Sequence, residues 1–226
     1  MRSASMRPIR FATNVQSERR KVKGEPPTPL PGIDDARVRC VGPDDDLVAI
    51  FRERAQGVGL HVVESSPDNL ARSVAERVRE LSHNPADRPR VVIEPALRAR
   101  ESIETALGEL AELLDPAAGD EAVFAADVGI TGVCAAIAET GSIVCASGAQ
   151  RWRGLSLIPP AHIAILREDQ IVPDLVDFFA GRVGSGLPAH LALISGPSKT
   201  ADIEGILITG VHGPGRVCVV LVRASA

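Results

Sequence analysis

Short apolar runs alternate with helical stripes through the first half of the chain, and this alternation constrains the fold more than any other feature. Residues 38–41, 60–64 and 91–94 read as strands. Between the first two, Asp44-Asp45-Asp46 supplies a cap and N-terminal acids for a helix ending near Gly57. Ser66 followed by Pro67 starts a second helix, since proline suits the first helical position. Leu70, Val74, Val78 and Leu81 then recur at spacings of four, four and three, which lays one apolar stripe along it. Residues 103–114 read as a third helix. Strand and helix in regular succession predict crossover connections and a parallel sheet. The expected class is α/β, a mostly parallel sheet with flanking helices.

The second half changes character. Residues 135–138 and 143–146 flank Glu139-Thr140-Gly141-Ser142 and predict a hairpin, with Gly141 free to take a positive φ. Residues 162–166 and 191–194 read as central strands, with Pro173 opening a helix through Phe179 between them. Residues 200–207 leave two readings open. Ile203, Ile206 and Leu207 favour a short helix, whereas 206–209 also reads as strand. Residues 217–222 are expected to close the sheet.

Composition narrows the function classes. The 226 residues are 45% apolar, ample for a core, and a formal charge of −4 argues against general nucleic-acid affinity. Aromatic residues make up 3%, with one tryptophan and no tyrosine, too few for a base-stacking platform. Cys40, Cys134, Cys145 and Cys218 stand apart with no C-x-x-C spacing, so the chain is not expected to ligate an iron–sulfur cluster by itself. They read as buried, reduced thiols in a cytoplasmic setting. The first 24 residues hold seven Lys/Arg and one Glu, and no apolar stretch follows as a secretory signal would need; such a start resembles an organelle transit peptide but reads better as a mobile arm. Glu25-Pro26-Pro27-Thr28-Pro29-Leu30-Pro31-Gly32 reads as an extended linker. Residues 1–36 are therefore expected to be a basic N-terminal arm and Pro-rich linker, and residues 37–226 the α/β domain. No apolar run approaches the roughly 20 residues of a membrane span.

Four polar loops in the second half carry the candidate chemistry. Glu139 sits at the hairpin tip with Thr140 and Gly141. It is either a solvated turn acid or a partly desolvated carboxylate with a raised pKa, suited to proton transfer or nucleophilic attack. Gly196-Pro197-Ser198-Lys199-Thr200 follows a strand. Its N–H groups, hydroxyls and ammonium read either as an anion site at a helix start or as a tight turn with a cap. Asp202 and Glu204 add negative charge, to grip Lys199 or a ligand hydroxyl. His162 and His212 lie on separate loops and lack helical ligand spacing. They suit a neutral donor or proton shuttle better than a metal, although two histidines and a carboxylate remain a possible ligand set. Arg151 and Arg153 flank Trp152, and Arg153 is suited to bidentate capture of a carboxylate or phosphate. Trp152 is expected to cover the pocket mouth or to meet a partner. Loops at the ends of neighbouring strands should line one pocket in which Glu139, His162, Ser198 and His212 converge.

The strings AETGS, RGLSLIPPAHI, GPSKTADIE and GVHGP, in this order, resemble the LUD domain of the lactate utilization protein C family. The resemblance covers residues 127–222 well and residues 37–121 by general pattern. It implies a sheet similar to the CoA-transferase and sugar-isomerase (NagB/RpiA-like) superfold. It also implies a soluble component of the system oxidising L-lactate to pyruvate, one that binds a small anionic substrate or cofactor. Partner proteins would carry the iron–sulfur clusters. Enzymes of the similar CoA-transferase fold form an acyl intermediate on a glutamate in a Glu-x-Gly turn, which puts Glu139 forward as a nucleophile. A free-standing acyl- or phospho-group-handling enzyme and a non-catalytic assembly subunit are the alternative readings. The chain departs from the family pattern at Val133-Cys134, where an Ala-Asp pair often precedes the AETG loop. That places any role of the missing aspartate in doubt.

Overall fold

The computed structural model describes residues 39–81, 88–148, 150–182, 188–201 and 207–224. Helix α1, Leu47–Gly57, starts on the aspartate run, where the Asp46 carboxylate accepts the Ala49 N–H at 3.0 Å. Strand β1 is His61–Ser65, and a single 3-10 turn at Pro67–Asn69 leads into helix α2, Leu70–Leu81. Leu70, Val74 and Val78 of its stripe are buried, joined by Ala75. Strand β2 is Arg90–Ile93. Helix α3, Arg100–Leu107, is shorter than expected because Gly108 takes φ 37° and ends it. Residues expected in its last turns form strand β3, Glu112–Leu114, on the sheet edge. Helix α4 follows at Asp120–Ala125.

Strand β4, Val128–Gly132, has no counterpart in the sequence reading, since Gly129 and Thr131 dilute its apolar run. Strands β5, Ala135–Ile137, and β6, Ser142–Ser147, form the expected hairpin. After them come β7, Ala161–Arg167; β8, Ile171–Val172; helix α5, Leu175–Ala180; and β9, His190–Ile194. Lys199–Ala201 (β10) pairs with Leu207–Thr209 (β11), and β12 is Arg216–Val222.

Six strands make the central sheet in the order β1-β12-β7-β4-β2-β3, all parallel. Alternate residues serve two cores. Val91, Ile93, Ile130, Ile163, Val220 and their neighbours pack under α2 and α3. On the opposite face Val62, Ala164, Leu166, Val219 and Leu221 meet α1 and the second sheet. Parallel strands buried on both sides carry near-continuous apolar runs for this reason. The second sheet has the order β8-β5-β6-β9.

Three placements differ from expectation. β12 lies inside the sheet between β1 and β7, and β9 is an edge strand of the second sheet. An apolar run reports burial, not lateral position. Residues 39–41 form no strand; Arg39 instead donates to both oxygens of Asp177 at 2.9 and 3.0 Å, and Val41 plugs the core beside α1. No helix among the described residues is long and apolar enough to cross a membrane.

Candidate functional site

A covering segment, residues 150–160, leaves the end of β6 and crosses the face of β4 before β7 begins. Gly148 and Arg151 exchange backbone hydrogen bonds at 3.0 and 3.1 Å, which turns the chain sharply. A 3-10 turn at Arg153–Ser156 then brings fully buried Leu155 onto the strand. Its carbonyl rests directly over Gly129 of β4, where a Cβ would collide with backbone. The missing side chain at Gly129 thus lets the cover sit close, which fixes Arg151, Trp152 and Arg153 at its outer end.

These three residues line an open cleft of about 860 Å³, shared with Asp120 and Phe124 of α4 and His190 of β9. Phe124 is 71% exposed. Arg153 is exposed, and its guanidinium has no hydrogen-bond or ion-pair partner among the described residues. Arg151 reaches the other way, its Nε 3.1 Å from Glu94 Oε1.

Glu94 lies just past the carboxyl end of β2, buried, and accepts the Gly132 N–H at 2.7 Å. Burial raises its pKa above the ordinary carboxylate value, opposed by the Gly132 N–H and the Arg151 charge. A small void of about 10 Å³, room for roughly one water, separates Glu94 from Thr131, Cys145 and Ser156. Thr131 Oγ1 is 2.9 Å from His162 Nε2 and 4.0 Å from Cys145 Sγ. Burial drives the His162 pKa down to about 4 and pushes the Cys145 thiol up to about 12. Both are therefore neutral near pH 7. The arrangement offers a cationic lip, an aromatic wall and, beneath them, a buried carboxylate poised to accept a proton. Glu94 and Thr131 stand at or near the carboxyl ends of adjacent strands β2 and β4, where open α/β sheets hold ligands.

The residues singled out from sequence fall into two places. Arg153 lines the cleft, and His162 is fully buried behind it, with no described partner for its Nδ1. Thr140, Gly141, Gly196 and Ser198 belong to a rim of touching loops. Thr140 Oγ1 lies 2.8 Å from Ser142 Oγ, which is 2.6 Å from Ser195 Oγ. The Ser198 N–H donates to the Pro214 carbonyl at 2.9 Å, the Ser198 carbonyl accepts from Gly210 at 2.8 Å, and Gly215 donates to Pro160 at 3.0 Å. The four motif loops are thus contiguous, yet two of them enter β7 and β12 at the amino ends of those strands.

Half-buried Glu139, whose N–H donates to the Pro173 carbonyl at 3.0 Å, lines none of the described cavities. Gly141 presses against α1 backbone at Arg54–Ala55, and Gly196 against the Val58 carbonyl just past its end. The expected helix start after Gly196 is a strand instead, and Lys199 and Thr200 belong to β10. With the Ser198 N–H already bonded, the helix-end basis for an anion site there is lost. His212 is exposed. Asp202 and Glu204 lie outside the described residues. Among those described, no cluster of three or more His, Cys, Asp or Glu is gathered to hold a metal.

Glu94, Thr131 and Cys145 escaped the sequence reading as site residues. Glu94 did leave a signal, a carboxylate directly after an apolar strand. The threonine and cysteine left none, because both occur routinely in cores.

Residues 48–222 match the family model described as the LUD domain. Lactate utilization protein C of Halalkalibacterium halodurans is 31% identical over 190 residues, covering 79% of this chain and 80% of that protein. The Bacillus subtilis protein of the same name is 30% identical over 194 residues, 79% of each chain. Among solved structures, a DUF162 family protein from Deinococcus radiodurans superposes with a TM-score of 0.57 at 27% identity, covering 78% of this chain and 96% of the other. With the model spanning most of its length and these relatives aligned across the same domain, the chain belongs to the LUD domain family.

Proposed function

We propose that this protein serves lactate utilization as a cytoplasmic component of the system oxidising L-lactate to pyruvate, working beside iron–sulfur partner proteins. Its own part is to hold a small anionic substrate or cofactor in the cleft at Arg151, Trp152 and Arg153. Family membership and relatives named lactate utilization protein C support the metabolic role. Arg153 carries the ligand reading. An exposed guanidinium that lines a cleft and lacks a partner among the described residues leaves its fork free for a carboxylate or phosphate. Arg151 is partly neutralised by Glu94 and positions that carboxylate.

Deleting the gene in its native cell is expected to abolish growth on L-lactate while sparing growth on glucose. The wild-type gene should restore growth and Arg153→Ala should not, at equal protein level. Undiminished growth of the deletion strain on L-lactate would overturn the role. Complementation with Glu139→Gln separates the group-transfer reading. Failure by a folded, normally abundant variant would give the Glu139 carboxylate a chemical role, as nucleophile or general base, because that substitution removes the charge and keeps the size.

A further inference from the structure

The cleft is far larger than a lactate-sized ligand needs. At about 860 Å³ it falls in the range of sites that enclose organic cofactors, and a three-carbon acid would leave most of it to water. Its walls are also chemically divided. The chain has five phenylalanines and one tryptophan, and two of these six rings, Phe124 and Trp152, line this cleft. Phe124 is 71% exposed, while Phe51 and Phe178 are almost wholly buried. Phe124 gains little from the core, so its position calls for another explanation. Val123, Leu157 and Ile158 extend the apolar wall. Arg153, whose guanidinium is unpaired among the described residues, lies on the same lining, and Asp120 adds a carboxylate-bearing residue to it. An aromatic and apolar wall, a free guanidinium and a separate acceptor match a molecule with a flat ring, an anionic group and hydroxyl or amino donors.

Resting on the anion-binding reading above, we propose that the cleft takes a heteroaromatic, phosphate-bearing ligand of the nucleotide class. Its ring lies against Phe124 and Trp152, and its phosphate is held by Arg153. Stacking on aromatic side chains contributes about 1–3 kcal/mol per base where it has been measured by alanine substitution. At RT ln 10 of about 1.4 kcal/mol, that is roughly fivefold to more than a hundredfold in affinity.

Trp152 is the chain's only tryptophan, so its emission reports on this cleft alone. The full chain is titrated with ADP, FMN and NAD⁺, with adenosine as ring without phosphate and pyrophosphate as phosphate without ring. Fluorescence and calorimetry are read together. At least one of the three nucleotides should bind saturably, about tenfold or more tighter than either fragment. Phe124→Ala should weaken that nucleotide and leave pyrophosphate unchanged, whereas Arg153→Ala should weaken both. If pyrophosphate binds as tightly as every nucleotide, the inference falls and anion binding stands. If none of the five probes binds, the inference and the anion-binding reading fall together.

Discussion

His162 and Glu94 are both buried ionisable groups, and burial disfavours the charged form of each. Glu94 retains two partners that favour its charge, the Gly132 N–H and Arg151, yet burial outweighs them. His162 has no charged partner. Its Nε2 meets the Thr131 hydroxyl, and burial alone lowers its pKa from 6.5 to about 4. The folded state therefore holds this histidine neutral at pH values where the unfolded chain has already bound a proton. Its contribution to stability is complete above about pH 6.5, is lost as pH falls towards about 4, and levels off below that. A shift of this size corresponds to on the order of 3 kcal/mol. Urea denaturation of wild type and His162→Gln across this window should show the difference in stability between them shrinking as pH drops. A difference independent of pH would mean that His162 is charged or solvated in the fold.

At the scale of elements, two of the family strings carry glycines that dock the second sheet against α1. The β5–β6 turn carries Gly141 at φ 65°, and a Cβ there would overlap the α1 backbone at Arg54–Ala55. Gly196, at φ 114°, makes the same kind of approach to the Val58 carbonyl. These two glycines lay the second sheet against the end of α1. Gly141→Ala combines a disfavoured backbone region with a collision against a helix that cannot yield, and is expected to cost at least about 2 kcal/mol. The check is the midpoint of chemical denaturation, and an unchanged midpoint would show that the turn stands off from α1. The cover over β4 follows the same logic, with Gly129 accommodating the Leu155 carbonyl.

For the molecule as a whole, the cysteines bear on whether electron transfer is done here or by a partner. Burial pushes the Cys145 and Cys218 thiols up to about 12 and raises Cys134, while Cys40 is exposed. Iron–sulfur clusters are held by thiolates gathered closely, and here two of the thiols sit in separate cores on either side of the central sheet. Protein purified without oxygen is expected to be colourless, with less than about one iron atom per chain and no charge-transfer absorbance in the visible. About four iron atoms per chain with such a band would overturn this. Iron should appear only when partners are retained from the native cell.

Several features were legible without coordinates because they are local. The Asp46 cap, the Leu70–Val74–Val78 stripe and the Gly141 turn each depend on residues within a few positions of one another, so pattern and propensity suffice. Arg153 was legible as a candidate for a similar reason, as a cation beside the single tryptophan in a recognisable string, and the structure places it on the cleft lining. The Glu94–Arg151 pair spans 57 positions and Thr131–His162 spans 31, so neither leaves a spacing to read. β4 was missed because a glycine and a threonine, needed for the cover and the buried polar cluster, interrupt its apolar run. Strand order was equally hidden, since hydrophobic pattern reports how deeply a strand is buried and carries no record of its neighbours. The sequence by itself determined the α/β class, the hairpin and the family. Only tertiary structure decided that Glu94, Thr131, Cys145 and His162 gather beneath the cleft at residues 151–153, because these groups are brought together by packing.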